Sequence, residues 1–269
     1  MTFYTVLGAA GFIGRHLVRH LRARSLEVRT PGRGEPLTGD LGRVIFCIGL
    51  TADFRQRPWD TLDAHVAALV DLLRRGNFSS LVYLSSTRVY IHLPPDRSGE
   101  ESAVLPVDVA DPGDLFNLSK LAGEAACLAH PNPAVRVARI ANVYGDDLTS
   151  DNFLPSIIRD ALERGHIHLQ TALASAKDYV SVGDVVRCLH DMALGGSFRL
   201  YNVASGRTVS HGEIVGWLRE ICGCTVSVEP GAPELRFPPL SIERLRRDFG
   251  FTPAALDRDL RALVEQYRR

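Results

Sequence analysis

Three glycines near the start of the chain, Gly8, Gly11 and Gly14, have the spacing of a phosphate-binding loop. Glycines let the backbone approach a pyrophosphate, whose charge then lies on the N–H groups and the positive end of the following helix. The same spacing also suits a tight strand-to-helix turn without a ligand. Because the loop lies between an apolar segment and a helical pattern, dinucleotide binding is favoured. The expected cofactor contacts in this loop are Gly8, Gly11, Phe12, Ile13 and Gly14.

The elements that must position this loop alternate between strands and helices. Short apolar and β-branched runs predict strands, and apolar residues three and four apart predict helices. The predicted strands are 3–7, 26–29, 44–48, 80–84, 135–140, 199–203 and 225–228. The predicted helices include 12–24, 62–73, 115–128, 153–164, 184–194 and 211–221, the last opened by a capping box, and two more follow near the C-terminus. This alternation predicts an α/β fold with a doubly wound parallel sheet, Rossmann-like, and a small C-terminal substrate-binding lobe.

The length of 269 residues suits one large domain or a domain with a small appendage. We expect residues 1–150 to form the dinucleotide-binding domain and 151–269 to form the smaller lobe, with segments that return to the main sheet. Only a few residues separate Gly39 from the apolar run that begins at Val44. The third strand of a doubly wound sheet is therefore expected to be missing, which shortens the adenine pocket.

Composition excludes several classes of function. Lysine and arginine (31) balance aspartate and glutamate (31), and they form no basic stripe, so we expect no nucleic-acid partner. No apolar run approaches the roughly 20 residues of a membrane span, so we expect no membrane partner. The N-terminus leads directly into the glycine loop without a signal sequence, which predicts a cytoplasmic location. The five irregularly spaced cysteines predict neither a disulfide framework nor a metal site.

Several later segments together resemble a known family. They are 83–90 (YLSSTRVY), 117–124 (NLSKLAGE), 139–145 (RIANVYG), 177–185 (KDYVSVGDV) and 201–206 (YNVASG). In this order, and with the glycine loop, the chain resembles the extended short-chain dehydrogenase/reductase family. These are the NAD(P)-dependent epimerases and dehydratases that act on nucleotide sugars. Each segment is weak evidence alone, but the combination is specific and covers most of the chain.

The resemblance implies a catalytic Tyr-x-x-x-Lys pair on one helix face. In that pair the ammonium lowers the pKa of the phenol and binds the nicotinamide ribose, while a nearby Ser or Thr hydrogen-bonds the reacting oxygen. Lys120 matches the lysine and Ser86 matches the serine. Phe116 stands at the tyrosine position and has no proton to exchange.

Three explanations of Phe116 remain open. It is an introduced substitution in an otherwise intact site, a natural residue whose role another group has taken, or a mark of a non-catalytic relative. Tyr90 and Tyr144 are candidate replacements, because both lie in segments that line the family's site, although both could simply pack there. The intact surroundings, including Lys120, favour the first explanation and then the third.

The residues after Ser86 narrow the reaction type. The 4,6-dehydratases of this family place an Asp-Glu pair there, whereas this chain has Thr87-Arg88, which cannot act as a carboxylate acid or base. The remaining reactions are those of a 4-epimerase or a keto-sugar reductase, acting by hydride transfer in polysaccharide or glycoside assembly. The alternative is a catalytically silent dinucleotide-binding protein that senses redox state or scaffolds a partner.

The expected cofactor is NADP or NAD. A carboxylate at the end of the second strand selects NAD, whereas a cation and free space accommodate the 2′-phosphate of NADP. The position that the family pattern assigns to the carboxylate is Gly32, followed by Arg33, with Arg29 nearby. These residues favour NADP, unless the arginines only solubilise a loop.

The resemblance also assigns the remaining contacts. For the cofactor it adds Thr51, Ser85 and Lys120 to the loop residues. For a nucleotide-sugar substrate it implies Thr87, Tyr90, Asn142 and Lys177. Arg236, in the Pro-rich stretch, is a candidate second cation, although it and Lys177 could equally be surface charges. Apolar residues on the helices 62–73 and 115–128 predict a homodimer through a four-helix interface, unless those residues only cover the sheet.

Overall fold

The strands of this chain divide into one large and two small sheets. The computed structural model describes residues 3–50, 53–94, 96–147 and 149–268. Its strands are β1 (Phe3–Leu7), β2 (Glu27–Arg29), β3 (Arg43–Phe46), β4 (Ser80–Ser86), β5 (Val135–Ile140), β6 (Asn142–Tyr144), β7 (His166–Leu169), β8 (Ala176–Ser181), β9 (Leu200–Val203), β10 (Thr208–Ser210) and β11 (Thr225–Val228). The large sheet has the order β2-β1-β3-β4-β5-β9, with every neighbouring pair parallel.

Helices connect these strands. They are α1 (Phe12–Arg22), α2 (Pro58–Leu62), α3 (Ala68–Arg75), α4 (Asp114–Ala129), α5 (Phe153–Arg159), α6 (Val182–Leu194), α7 (His211–Cys222), α8 (Glu243–Phe249) and α9 (Leu256–Tyr267). A π turn, Asp63–Ala67, joins α2 to α3, and a second, Asp160–Arg164, extends α5. A 3₁₀ turn, Thr87–Tyr90, follows β4. Within the described part of the chain, every helix is too short or too polar to cross a membrane.

Apolar cores cover both faces of the large sheet, because its central strands are buried along nearly their whole length. On one face Leu17 of α1 and Leu189 of α6 are fully buried against the sheet. On the other face lie Leu69 and Leu72 of α3 and Cys127 of α4. Parallel sheets require this cover on both sides. The predicted doubly wound α/β fold is confirmed.

The edge of the large sheet lies at β2. The described residues 30–42 form no strand and make a single bridge, between Asp40 and Asn77, before β3 begins. The sheet therefore ends one strand short on this side, which is the side that follows the glycine loop.

A second core forms among later elements. β8 lies between β6 and β10, β7 pairs with β11, and buried residues such as Ile157, Ile214 and Leu260 fill the space between them and helices α5, α7 and α9. α7 begins with the predicted capping box, in which Ser210 and Glu213 bond reciprocally. β9 and α6, in contrast, join the large sheet, since β9 pairs with β5 and α6 packs on α1.

A buried ion pair fixes α4 against the large sheet. Arg139 of β5 donates to both carboxylate oxygens of Glu124 of α4, with its Nη2 at 2.7 Å and its Nε at 2.9 Å. The Ser85 hydroxyl donates to the same carboxylate at 2.5 Å. Arg139 also donates to the Tyr90 hydroxyl at 2.7 Å. A buried pair is tolerated when its hydrogen bonds are satisfied in this way, and here the pair sets the position of α4.

Candidate active site

A cleft of about 550 Å³ opens at the carboxyl ends of β1, β3, β4 and β5. Ligands bind at this edge of a parallel α/β sheet, since strand ends and helix N-termini meet there. The predicted site residues that line the cleft are Gly11, Phe12, Ile13, Gly14, Ser85, Ser86, Thr87, Phe116, Lys120, Asn142 and Lys177. Gly8, Arg33, Tyr90 and Arg236 do not line it, and Thr51 lies outside the described residues.

The glycine loop between β1 and α1 has no space for a side chain at Gly8 or Gly14. Gly8 has φ +77°, and a Cβ added there would lie 2.8 Å from the backbone carbonyl carbon of Cys47. A Cβ on Gly14 would lie 2.2 Å from the carbonyl oxygen of Gly8. α1 begins at Phe12 with no side-chain cap and no acidic residue in its first turn. The backbone N–H groups of that first turn are therefore available to an anion. The loop therefore fits the pyrophosphate of a dinucleotide.

The loop after β2 carries charges of both signs. Arg33 is exposed, whereas Arg29 stacks on the Phe3 ring, its guanidinium carbon 3.8 Å from the ring centroid. Oε2 of Glu35 accepts a hydrogen bond from the backbone N–H of Gly32 at 2.8 Å. A carboxylate here accepts from a ribose 2′-OH and repels a 2′-phosphate, so Glu35 opposes the NADP preference. Counting along the sequence missed it, because Glu35 lies three residues beyond the strand-end position and reaches back.

Ser86, Phe116 and Lys120 come together in the cleft. Ser86 ends β4, and its hydroxyl oxygen accepts from the backbone N–H of Arg88 at 3.2 Å. The Lys120 Nζ lies 5.9 Å from the centroid of the Phe116 ring, and the Phe54 ring packs against Phe116 with 5.1 Å between centroids. The fold thus assembles the expected trio, with an aromatic ring in place of the phenol.

Lys120, one of these three residues, is buried. Its Nζ donates to the backbone oxygen of Leu84 at 2.9 Å. Burial lowers the pKa of Lys120 to about 7, although the charge of Glu124 and the sulfur of Cys47 act in the opposite direction. A lysine with this pKa changes its protonation near neutral pH, and a nearby anionic ligand would favour its charged form.

His65 lies behind Phe116 and was missed by sequence reasoning. Its Nε2 accepts from the backbone N–H of Leu50 at 3.1 Å, which leaves the proton on Nδ1, 2.8 Å from the Ser119 hydroxyl. Ser119 in turn donates to the backbone oxygen of Phe116 at 2.8 Å. Burial lowers the pKa of His65 to about 3, so this ring is neutral and supports the backbone of Phe116. Only the position of His65 in the π turn, next to the cleft, shows that it supports Phe116.

The two candidate replacement tyrosines direct their hydroxyls elsewhere. The Tyr90 hydroxyl donates to Oδ1 of Asn202 at 2.8 Å and accepts from Arg139, and its side chain is fully buried. The Tyr144 hydroxyl donates to Oδ2 of Asp259, on α9, at 2.7 Å. Neither residue lines the cleft, so the structure brings neither hydroxyl to the Ser86–Lys120 region.

Asn142 and Lys177 also line the cleft. Asn142 Nδ2 donates to the backbone oxygen of Asp178 at 2.9 Å. The Lys177 Nζ lies 5.8 Å from the Phe237 ring centroid and 6.0 Å from that of Phe153. Burial lowers the pKa of Lys177, and the positive charge of Arg88 adds to this effect.

Arg236 does not reach the cleft. Its guanidinium is exposed and pairs with Glu234, the Nε lying 2.6 Å from the carboxylate. The neighbouring Phe237 lines the cleft instead, because successive residues of an extended segment point to opposite sides. Arg88 also lines the cleft, although the sequence did not single it out as a contact. Its place two residues after Ser86 is the signal that could have found it.

His92, Asp111 and Asp114 form the one group of possible metal ligands within the described residues. The Asp114 carboxylate already accepts from His92 at 2.9 Å and from the backbone N–H of Asp108 at 2.7 Å. Hydrogen bonds therefore account for this cluster, which lies at the start of α4.

Comparisons with known proteins agree with this geometry. The model of the NAD dependent epimerase/dehydratase family matches residues 4–204. A dTDP-glucose 4,6-dehydratase of Streptomyces griseus is 28% identical over 210 residues, and the match covers 75% of this chain and 62% of the relative. A dTDP-4-dehydro-6-deoxy-D-allose reductase of a Streptomyces species is 26% identical, with 98% of this chain and 95% of the relative covered.

The same fold occurs in a solved structure described as MoeE5 in complex with UDP-glucose and NAD. The TM-score is 0.82 at 24% identity, and the match covers 99% of both chains. At this level of identity the likeness concerns the fold.

Proposed function

We propose, for a chain that belongs to the NAD dependent epimerase/dehydratase family, that the cleft binds a nicotinamide dinucleotide and a nucleotide-activated sugar. The reaction is hydride transfer at a sugar carbon, as in an epimerase or a keto-reductase. The observation that carries this proposal is the convergence of the glycine cradle, Ser86, Lys120 and Lys177 on one cleft. Curated relatives of this family include a dehydratase and a reductase of dTDP-sugars. We place the reaction in polysaccharide or glycoside assembly in the cytoplasm.

The cofactor, when bound, supplies the hydride acceptor or donor. The N–H groups at the start of α1 hold its pyrophosphate. The Lys120 ammonium, anchored on the Leu84 carbonyl, holds the nicotinamide ribose. The Ser86 hydroxyl holds the reacting sugar oxygen, and Lys177, with Asn142, holds the diphosphate of the substrate at the other end of the cleft.

Proton transfer is the weak step of this mechanism. Phe116 can neither give nor take a proton, and the hydroxyls of Tyr90 and Tyr144 are engaged outside the cleft. The reacting oxygen is left with the Ser86 hydroxyl as its hydrogen-bonding partner. Turnover is therefore slow relative to a site with the phenol, since a positioned acid or base contributes on the order of 10²–10⁴-fold.

Water elimination is disfavoured in this cleft. Thr87 and Arg88 occupy the positions that would carry a carboxylate pair, and neither can remove a proton as a carboxylate does. Thr87 and Arg88 therefore favour the epimerase or reductase reaction over that of the dehydratase among the relatives.

Two residues have opposite effects on the proposed preference for NADP over NAD. Arg33 favours NADP, and Glu35, held on the Gly32 backbone, favours NAD. NADP is the preferred cofactor in this proposal because the strand-end residue, Gly32, has no carboxylate of its own and Arg33 follows it. Titration of NADPH and NADH into Arg33→Ala and Glu35→Ala tests the preference. Arg33→Ala should lower the affinity for NADPH only, and Glu35→Ala should lower the affinity for NADH only.

A catalytically silent dinucleotide-binding protein is the second candidate. It is favoured by the fit of Phe116, whose buried ring packs against Phe54 and makes an edge contact with His65 at 5.3 Å between centroids. In this case the dinucleotide cradle serves redox sensing or the scaffolding of a partner, and the sugar end of the cleft has no ligand.

One binding experiment separates these functions. Purified protein is titrated with NADPH and NADH, and then, with cofactor present, with UDP-glucose, dTDP-glucose and GDP-mannose, using calorimetry and thermal shifts. Binding of a nucleotide sugar that Lys177→Met weakens and Arg236→Met leaves unchanged supports the enzyme. Dinucleotide binding without any sugar-nucleotide binding supports the silent protein and rejects the enzyme.

We also propose a homodimer through the outer faces of α3 and α4. Leu69 and Leu72 are buried against the sheet and cannot contribute to it. Trp59, 75% exposed in α2, and Leu128, 39% exposed in α4, leave apolar surface beside these helices. Light scattering at micromolar concentration tests the dimer, and a monomeric mass would reject it.

A further inference from the structure

Arg88 is a partly buried cation whose guanidinium forms no ion pair within 4 Å among the described residues. It lies in the 3₁₀ turn that follows Ser86, with its guanidinium carbon 5.7 Å from the Phe54 ring centroid. Its Nε is buried and has no hydrogen-bond acceptor among the residues that the structure describes. A buried guanidinium nitrogen that is left unpaired is costly, and because Arg88 lines the cleft, its guanidinium can pair with an acceptor group of a ligand there.

The carboxylates nearest to Arg88 are already occupied. Asp114 accepts from His92, from the Asp108 backbone and from Asn117 Nδ2 at 2.5 Å. Asp111 accepts from the backbone N–H of Gly113 at 2.7 Å. These acidic groups hold the turn before α4, and over the described residues none forms an ion pair with Arg88.

The cleft as a whole has an excess of positive charge. Its charged lining, as far as the structure describes it, consists of Arg88, Lys120 and Lys177 against a single carboxylate residue, Asp147. In the proposed function Lys120 serves the cofactor ribose and Lys177 the diphosphate. Burial lowers the pKa of Arg88, the charge of Arg55 adds to this effect, and the charges of Asp114 and Asp111 oppose it. Within the described lining of the cleft, Arg88 is thus the cation to which the proposed function assigns no ligand group.

We propose that Arg88 binds a carboxylate on the sugar ring of the substrate, so that the cleft selects a nucleotide-activated uronic acid over the neutral hexose. This inference rests on the proposed function. The backbone N–H of Arg88 donates to the hydroxyl of Ser86, which holds the reacting sugar oxygen in the proposed function, and Arg88 lines the same cleft as Ser86. A guanidinium offers a planar pair of donors that matches a carboxylate in a bidentate pair, and a neutral hydroxymethyl group cannot make that pair.

Two matched ligand pairs test the proposal. UDP-glucuronic acid and UDP-glucose differ only in a carboxylate against a hydroxymethyl group, and dTDP-glucuronic acid and dTDP-glucose form the same pair on another base. Each is titrated by calorimetry into cofactor-loaded wild-type protein, Arg88→Met, Arg88→Lys and the control Arg55→Met, whose exposed side chain does not line the cleft. Retained dinucleotide affinity shows that each variant is folded.

The wild type should bind the uronic acid about 10- to 100-fold more tightly than the hexose on at least one base. Arg88→Met should reduce this ratio to near one, Arg88→Lys should keep part of it, and Arg55→Met should keep all of it. A ratio near one in the wild type overturns the proposal. So does an equal loss for both sugars in Arg88→Met, because Arg88 would then serve the diphosphate. If no sugar nucleotide binds, the proposed function fails together with this inference, whereas the first two outcomes leave that function intact.

Discussion

Two buried guanidiniums near the same end of the sheet have opposite surroundings. Burial alone would lower the pKa of Arg139, but the hydrogen bonds and charge of Glu124 outweigh it, and the pKa lies above its ordinary value. Arg88 forms no such ion pair within the described residues, and burial, aided by the charge of Arg55, lowers its pKa against the opposing charges of Asp114 and Asp111. Arg139 is paired within the fold, whereas Arg88 remains available to a ligand.

The contrast extends to the groups around each arginine. On the interior side, Ser85, Glu124 and Tyr90 satisfy one another through Arg139 in a closed network. On the cleft side, Lys177 has aromatic rings beside it, and Arg88 has an unpaired nitrogen. Buried polar groups are normally hydrogen-bonded, so the unsatisfied ones identify the surface where a ligand is expected. Variants in the closed network should change stability, and variants on the open side should change binding or turnover.

Phe116→Tyr should produce the largest change on the open side. The ring keeps its shape and gains the hydroxyl, so hydride transfer should rise on the order of 10²–10⁴-fold with little change in substrate affinity. Stopped-flow measurement of cofactor oxidation or reduction with a bound nucleotide sugar gives the rate.

Lys120→Ala in the Phe116→Tyr background serves as the control for this gain. It should abolish the increase, because Lys120 both lowers the pKa of the phenol and holds the ribose. An unchanged rate in Phe116→Tyr itself would show that the missing hydroxyl does not limit the reaction, and the silent function would then be favoured.

Glu124→Gln should cause the largest loss of stability. It leaves Arg139 buried without its counter-charge, which should lower the free energy of unfolding by about 3–5 kcal/mol. Arg88→Met, which removes an unpaired cation, should lower it by less than about 1 kcal/mol. Urea denaturation of both variants measures the difference, and equal effects would contradict the division into closed and open regions.

Gly14→Ala tests the cofactor end of the cleft. The added Cβ would lie 2.2 Å from the Gly8 carbonyl oxygen, so the loop must shift, which should cost about 1–3 kcal/mol of unfolding free energy and weaken dinucleotide binding about tenfold or more. Gly216→Ala, in α7, is the matched control, because a Cβ there meets no atom within 4 Å. It should raise stability by about 0.5–1 kcal/mol and leave binding unchanged. A Gly14→Ala protein with normal affinity would reject the pyrophosphate cradle.

Lys120→Met should have an effect on stability that depends on pH. The pKa of Lys120 is lowered from 10.5 to about 7, so between these values the unfolded chain binds more protons than the folded one. The free energy of unfolding should therefore rise with pH in this window, by at most about 1.4 kcal/mol per pH unit from this group. Below about pH 7 both states are protonated, and the slope from this group vanishes.

The Lys120→Met variant lacks this rise, and the difference between the two stability curves isolates it, since all other titrating groups are common to both proteins. Parallel curves across the window would show that the Lys120 pKa is close to its ordinary value.

The sequence predicted the fold and much of the cleft because that information is local. The glycine spacing, the capping box at Ser210 and the i, i+4 relation of residue 116 to Lys120 depend on neighbours a few residues away. Apolar runs at strand length predicted a parallel sheet, and a parallel sheet brings the ends of its strands to one edge. Family resemblance then supplied expectations for single residues.

Only the tertiary structure decided which partners the individual polar side chains contact. The Tyr90 hydroxyl meets Asn202, 112 residues away in sequence, and so leaves the cleft, while Glu35 returns to the Gly32 backbone and places a carboxylate where counting found none. Arg139 and Arg88 are the same residue type near the ends of neighbouring strands, and only the packing of α4 gives one of them a carboxylate. A side chain's partners are set by distances across the folded core. Local sequence therefore determines which groups are present, and packing determines which of them remain open to a ligand.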